Sequence, residues 1–192
     1  MQQIDASTLE KNWKKFEKYC HKLSDNNVNS LLEAIGQRLV MCPASTKKDQ
    51  YGCYPGGLIE HAIQVTSLMK SLSDVYGIDI SMASVIRVGL LHEIGKVGDL
   101  DADYFIDQDS EWHREKLGQF YKYNEQIQKM SVSHRTLCLL QHFGVKLTRE
   151  EWLAIQLSSG SHFEENRFYV GSEPSLALIL QQAKQAAIHN HK

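Results

Sequence analysis

No stretch of this chain reaches the roughly 18 apolar residues that a membrane-crossing helix needs. The opening residues, MQQIDASTLEKNWKK, lack the apolar centre of a secretory signal. Cys20, Cys42, Cys53 and Cys138 are scattered and include no CxxC pair, so reduced cysteines in a cytoplasmic compartment are expected rather than a disulfide framework or a zinc ribbon. Neither sign of charge is in excess. The 21 Lys and Arg against 23 Asp and Glu leave a net charge of -2, which excludes a broad, non-specific attraction to nucleic acid. A Walker loop, a GxGxxG element and a nucleophile elbow are all missing, so nucleophilic serine catalysis has no supporting context. Alternating strand patterns are almost absent, and there is no internal repeat and no linker.

What is present is helical period. Hydrophobic residues make up 42% of the chain and charged residues 23%, ordinary for one globular domain of 192 residues with a full core. Leu9, Trp13, Phe16, Cys20 and Leu23 are spaced 4, 3, 4 and 3 apart, which predicts a helix over 7–23 with Ser7 and Glu10 as a capping box. Val28, Leu31, Leu32, Ile35 and Leu39 mark a second helix that ends before Pro43. Residues 42–57 read as loop. Gly56-Gly57 opens a long helix to Tyr76, 80–96 forms the next, and 97–109 is acidic loop. Residues 110–127 read as helix, Thr148 and Glu151 as a capping box, 159–174 as irregular with a possible short hairpin, and Pro174 as the start of a last helix. The tail HNHK reads as a frayed end. The expected fold is all-α: one compact bundle of seven or eight helices, with 1–42 as N-terminal helices and 51–188 as the core.

Three ionisable residues end the apolar run Val88-Gly89-Leu90-Leu91: His92, Glu93 and Lys96. His61 lies on the preceding apolar helix. Two imidazoles and a carboxylate on packed helices are suitable donors for a divalent ion such as Zn, Mn, Fe or Ni, which would acidify a bound water. The other reading is that each histidine is a hydrogen-bonded core residue. Adjacent helical residues also point about 100° apart, so His92 and Glu93 share an ion only if it sits between them.

The segments YGCYPGGLIEHAIQV and VGLLHEIGKVGD, in that order and about 30 residues apart, resemble the HD-domain superfamily of metal-dependent phosphohydrolases, including HD-like proteins carried by bacteriophages. The resemblance is clearest over 51–99 and continues more weakly through SHRTLCLLQHFGVKLTREEWLAI to EPSLALILQQAK. It implies an all-α fold, His61 and His92 as metal ligands, Glu93 in place of the aspartate that names the family, and Lys96 as its motif lysine. It also implies hydrolysis of a phosphate ester, most simply in a nucleotide, through water activated by a divalent metal ion (Mn, Ni, Co, Fe, Zn or Mg).

The departures from the family pattern bear on the same site. Glutamate stands for aspartate at Glu93, Ser158 and Ser159 stand where a histidine is common, and Lys184 follows Ala183 where the family has an aspartate. Replacing a carboxylate by an ammonium supplies about the charge of a divalent ion. An ammonium within about 4 Å of Glu93 gains roughly 4 kcal/mol of attraction at an effective dielectric of about 20, before desolvation. Two functions therefore stand open. One is a hydrolase, with Glu93, Lys96 and His134 as catalytic residues and His162 a further ligand or proton donor. The other is a metal-free domain whose pocket, lined by His61, His92, Lys96 and Lys184, holds an anion such as a nucleotide without cleaving it; Arg114 and His162 are further substrate-binding candidates. Lys47, Lys48, Lys116 and Arg135 are further phosphate candidates. Trp112, Phe120, Tyr121 and Tyr123 form either a stacking surface or plain core, with His113 and Asn124 beside them. HFEENRFY is a candidate lid.

Overall fold

The computed structural model of the chain describes residues 5–160 and 162–190. The fold is all-α, with eight α-helices, two 3-10 turns and one two-stranded ribbon among the described residues. No described helix is long and apolar enough to cross a membrane. Residues 1–4, the first of the opening stretch, lie outside the described residues, as do His191 and Lys192 of the tail and Ser161 of the 159–174 loop.

Helix α1 (Ala6–His21) is capped by Asp5, whose side chain accepts from the Thr8 amide. The expected Ser7 cap is thereby corrected, because Ser7 already lies inside the first turn. Helix α2 (Asn26–Met41) buries all five residues of its stripe and stops before Pro43. Helix α3 (Gly57–Tyr76) is the hub, packing on α1, α2, α4 (Met82–Leu91) and α8 (Ser175–Asn190). Helix α6 (Val132–His142) begins at the Ser131 cap, and α7 (Arg149–Leu157) carries the expected Thr148–Glu151 capping box in full. One continuous core, from Phe16 to Ala187, joins the N-terminal helices to the rest.

Three expected elements differ. The helix expected over 80–96 stops at Leu91, and a separate 3-10 turn follows at Ile94–Val97. The 97–109 loop contains strand β1 (Phe105–Asp107). The helix expected over 110–127 ends at α5 (Glu111–Leu117), where Gly118 takes a left-handed φ of 59°. The chain then turns back as β2 (Tyr121–Tyr123), antiparallel to β1 with Phe105 opposite Tyr123. Aromatic residues favour such a pleated edge over a helix. The 159–174 segment holds a 3-10 turn at Glu164–Tyr169 and no described strand. Buried Asn166 pins that turn: it donates to Gly160 O at 2.8 Å and accepts from Gln156 Nε2 at 3.2 Å.

Candidate functional site: a buried carboxylate between two ammoniums

The break after Leu91 sets the geometry of the site. His92 keeps helical dihedrals, Glu93 turns to φ -120° and ψ 14°, and the 3-10 turn carries Lys96 back toward it. That turn sits hard against α6. A Cβ on Gly95 would lie 2.5 Å from Val132 O and 2.7 Å from Thr136 N. The Gly95 amide donates to Thr136 Oγ1 at 2.9 Å, and the same hydroxyl donates to His92 O at 3.2 Å. On the other side, Gly89 lets α4 close on α3, since a Cβ there would meet Thr66 Oγ1 at 2.5 Å.

Both imidazoles are fully buried, His61 and His92 at 0% exposure. Their ring centroids are 6.3 Å apart, and His61 Nε2 is 4.0 Å from Glu93 Oε2. His92 Nδ1 lies 3.0 Å from Gly89 O, a contact that only an N–H can make favourably, so Nε2 carries the lone pair. Burial is the largest influence on both rings. It outweighs the attraction of Glu93, lowering His92 to about 4 and His61 well below its ordinary value. Both are neutral at pH 7.

Glu93 is clamped. Lys96 Nζ is 2.7 Å from its Oε2, and Lys184 Nζ is 2.9 Å from its Oε1. Burial alone would raise this carboxyl, but Lys184 and then Lys96 outweigh it and hold Glu93 well below the ordinary carboxylate range. Burial would likewise lower Lys96; Glu93 outweighs it and raises it. Lys96 also donates to Ala44 O and to the Tyr51 hydroxyl, each at 2.8 Å. An ammonium has three protons, so those of Lys96 are all committed. Lys184 donates a second bond to Ser158 O at 2.8 Å.

One donor atom from each of His61, His92 and Glu93 lies within 4.8 Å of the others, and this is the cluster of metal-type donors among the described residues. The donor chemistry suits zinc or manganese, but tetrahedral ligands around zinc stand only about 3.4 Å apart. Each Glu93 oxygen already accepts from an ammonium, and a divalent cation would enter beside two positive charges. The three donors are of metal-binding type, and the two lysines on Glu93 supply positive charge that would oppose a divalent ion there.

A cavity of about 460 Å³ meets the cluster at Tyr51 and Lys96, which line it. The Tyr51 ring packs on His61 with centroids 4.4 Å apart. His61, His92 and Glu93 do not line the cavity. Its remaining walls include Ser45, Thr46, Gln50, Tyr104, Phe105 and Tyr123. A second cavity, about 620 Å³, shares Lys96 and Phe105 and is otherwise walled by residues such as Arg38 and Tyr121.

Of the expected site residues, the fold brings together His61, His92, Glu93, Lys96 and Lys184. The others stand elsewhere. His134 is half-buried in the first turn of α6, Arg114 is exposed on α5, and His162 is exposed with its ring 4.4 Å from Phe163. None of the three lines either cavity or joins the donor cluster. Lys48 and Lys116 are exposed, and Lys47 bridges to Gln119. Arg135 is buried, ion-paired to Asp99 and bonded to Gln128 O at 2.6 Å. His113 bonds Ser110 Oγ at 2.7 Å and Asn124 donates to Asp103 O at 3.0 Å. Trp112 is exposed and Tyr121 is core, so the aromatic stretch divides between surface and interior. Sequence reasoning missed Tyr51, Tyr104 and Phe105; a tyrosine inside a polar loop carries no periodicity that would single it out.

No protein-family model matches the chain, no curated protein matches it, and no solved structure matches it.

Proposed function

We propose that this chain is an HD-like domain that binds a small phosphate ester or nucleotide without hydrolysing it, two internal ammoniums standing where the resembled family holds its metal. The observation that carries the proposal is the double ion pair on Glu93, each of whose oxygens accepts from a lysine, at 2.7 or 2.9 Å. Each oxygen keeps a second lone pair, but a divalent ion bound there would meet two ammoniums that already neutralise the carboxylate, so repulsion opposes it. The cavity beside it supports ligand binding: its volume lies in the range of small-molecule sites, and it combines aromatic rings with a few hydroxyl and amide groups. The four cysteines are free, which supports a reducing, cytoplasmic setting, the host's if the chain is phage-encoded.

The nearness of His61, His92 and Glu93 favours the second reading, a phosphohydrolase using a divalent ion. One set of measurements separates the two. On the first, the purified protein carries no stoichiometric Mn, Fe, Co, Ni or Zn by elemental analysis. Members of a nucleotide panel raise the melting temperature equally with and without chelator, and no phosphate is released. Lys184→Asp, which moves the local charge by two units toward that of a metal site, takes up metal where the parent does not. Metal-dependent phosphate release by the parent protein, abolished in His92→Ala, establishes the hydrolase instead.

A further inference from the structure

We infer that the ligand enters the 460 Å³ cavity ring-first: a neutral, flat heteroaromatic group of nucleobase type lies against Tyr104 and Tyr123, and any phosphate stays at the mouth. This rests on the non-hydrolytic binding reading above and names the chemistry that the cavity selects.

The charges lining the cavity are wrong for a phosphate. Among the described residues Lys96 is its one cationic wall residue, and all three of its protons are committed to Ala44 O, the Tyr51 hydroxyl and Glu93. Asp49 lines the same cavity with a carboxylate. An anion placed here would meet an ammonium already engaged and the like charge of the exposed Asp49 carboxylate.

The wall that remains is aromatic and fixed. Tyr104, Phe105 and Tyr123 pack mutually, with centroids 4.9, 5.2 and 5.6 Å apart. The Tyr104 ring is backed by the Arg135 guanidinium at 5.3 Å, and that arginine is itself anchored by Asp99 and Gln128 O. The β1–β2 pairing of Phe105 with Tyr123 sets two of the rings side by side. Tyr123 is 56% exposed, so ring area remains for a guest to cover. Ser45, Thr46 and Gln50 add hydroxyl and carboxamide groups, which can donate to and accept from the edge of a heterocycle. Proteins take unpaired bases by stacking them on aromatic side chains and hydrogen-bonding their edges.

The test is titration of the full-length protein with adenosine, guanosine, cytidine and uridine, and separately with inorganic phosphate and pyrophosphate, followed by calorimetry and thermal shift. At least one nucleoside should saturate. Tyr123→Ala, a change at an exposed residue, should weaken it about 5- to 100-fold, and Tyr123→Phe should retain it, because the ring rather than the hydroxyl carries the contact. Phosphate and pyrophosphate should not saturate. Saturation by phosphate with no nucleoside bound overturns the ring-first inference and leaves the binding function standing. Nucleoside binding unchanged in Tyr123→Ala, or no nucleoside binding at all, overturns it too. Metal-dependent release of phosphate from nucleotides is the separate result that removes the function it rests on.

Discussion

Gly89 O holds the Nδ1 side of His92 at 3.0 Å, and the ring has no exposed surface through which water could solvate a second proton. The folded ring therefore protonates near 4, against an ordinary value of 6.5 in the unfolded chain, burial being the main cause and the two lysines adding to it. Between those values the unfolded state binds the proton and the folded state does not, so stability rises with pH across that window. The contribution is fully present above about 6.5 and is lost as pH falls toward 4. Glu93 acts in the same direction lower down: its depressed folded value gives stability above the ordinary 4.5 that disappears as pH drops below it. On going from pH 7 to pH 5, His92 alone should cost on the order of 2 kcal/mol. Urea unfolding at the two pH values measures this, and His92→Gln should show a visibly shallower loss than the parent. An equal loss in both proteins would mean that the ring titrates normally in the fold.

At the scale of elements, the site depends on how tightly the Ile94–Val97 turn sits on α6. Gly95→Ala puts a methyl 2.5 Å from a carbonyl oxygen and 2.7 Å from an amide nitrogen, both backbone atoms that cannot swing aside. Overpacking of this kind should destabilise the protein by about 1–3 kcal/mol. It should also shift Lys96, so the loss of melting temperature should come with a change in tyrosine absorbance as Tyr51 loses its donor. A variant with the parent's melting temperature would show that the turn has slack. Some of these elements are legible in sequence and some are not, for physical reasons. The α2 stripe and the Thr148–Glu151 box announce themselves because helix burial and capping are local patterns. The end of α4 at Leu91 is not announced, because His92-Glu93-Ile94 continues a helical pattern and only the contact of Gly95 with α6 breaks it. The ribbon is likewise hidden: Tyr121-Lys122-Tyr123 is too short to alternate visibly, and its partner lies across α5. Within the site, His61, His92 and Glu93 are legible as ionisable residues on two apolar helices, and only the family resemblance groups them. Lys184 is singled out only by the resemblance, as a charge of opposite sign to the residue that it implies there. Tyr51 gains its role from a loop folding under Lys96, which no local pattern records.

At the scale of the whole molecule, the clamp on Glu93 is closed by the last helix and steadied by the second. Helix α8 brings Lys184 to α3 and α4 by burying Leu176, Ala177, Ile179, Leu180, Ala183 and Ala187. Arg38 of α2 donates to Val97 O at 2.8 Å, Asp99 O at 2.7 Å and Leu100 O at 2.9 Å, tying down the chain directly after Lys96. The N-terminal helices are thus part of the support of the site, although the residues that line it begin at Ala44. Their residues Phe16, Cys20, Val28, Leu31, Ile35 and Leu39 are each at most 1% exposed within the same core that contains Leu180 and Ala183. A chain beginning at Pro43 would strip that core of one wall and leave three backbone carbonyls without the guanidinium that binds them. Fragments that lose such a wall unfold non-cooperatively or never fold, because the remaining apolar surface no longer offsets chain entropy. Urea titration should show one steep transition for the whole chain, followed identically by circular dichroism and tryptophan fluorescence, and a shallow, probe-dependent one for the truncated chain. A truncated chain that unfolds as sharply as the whole would make 1–42 a separable unit, and the Arg38 bonds would then be incidental to the placement of Lys96.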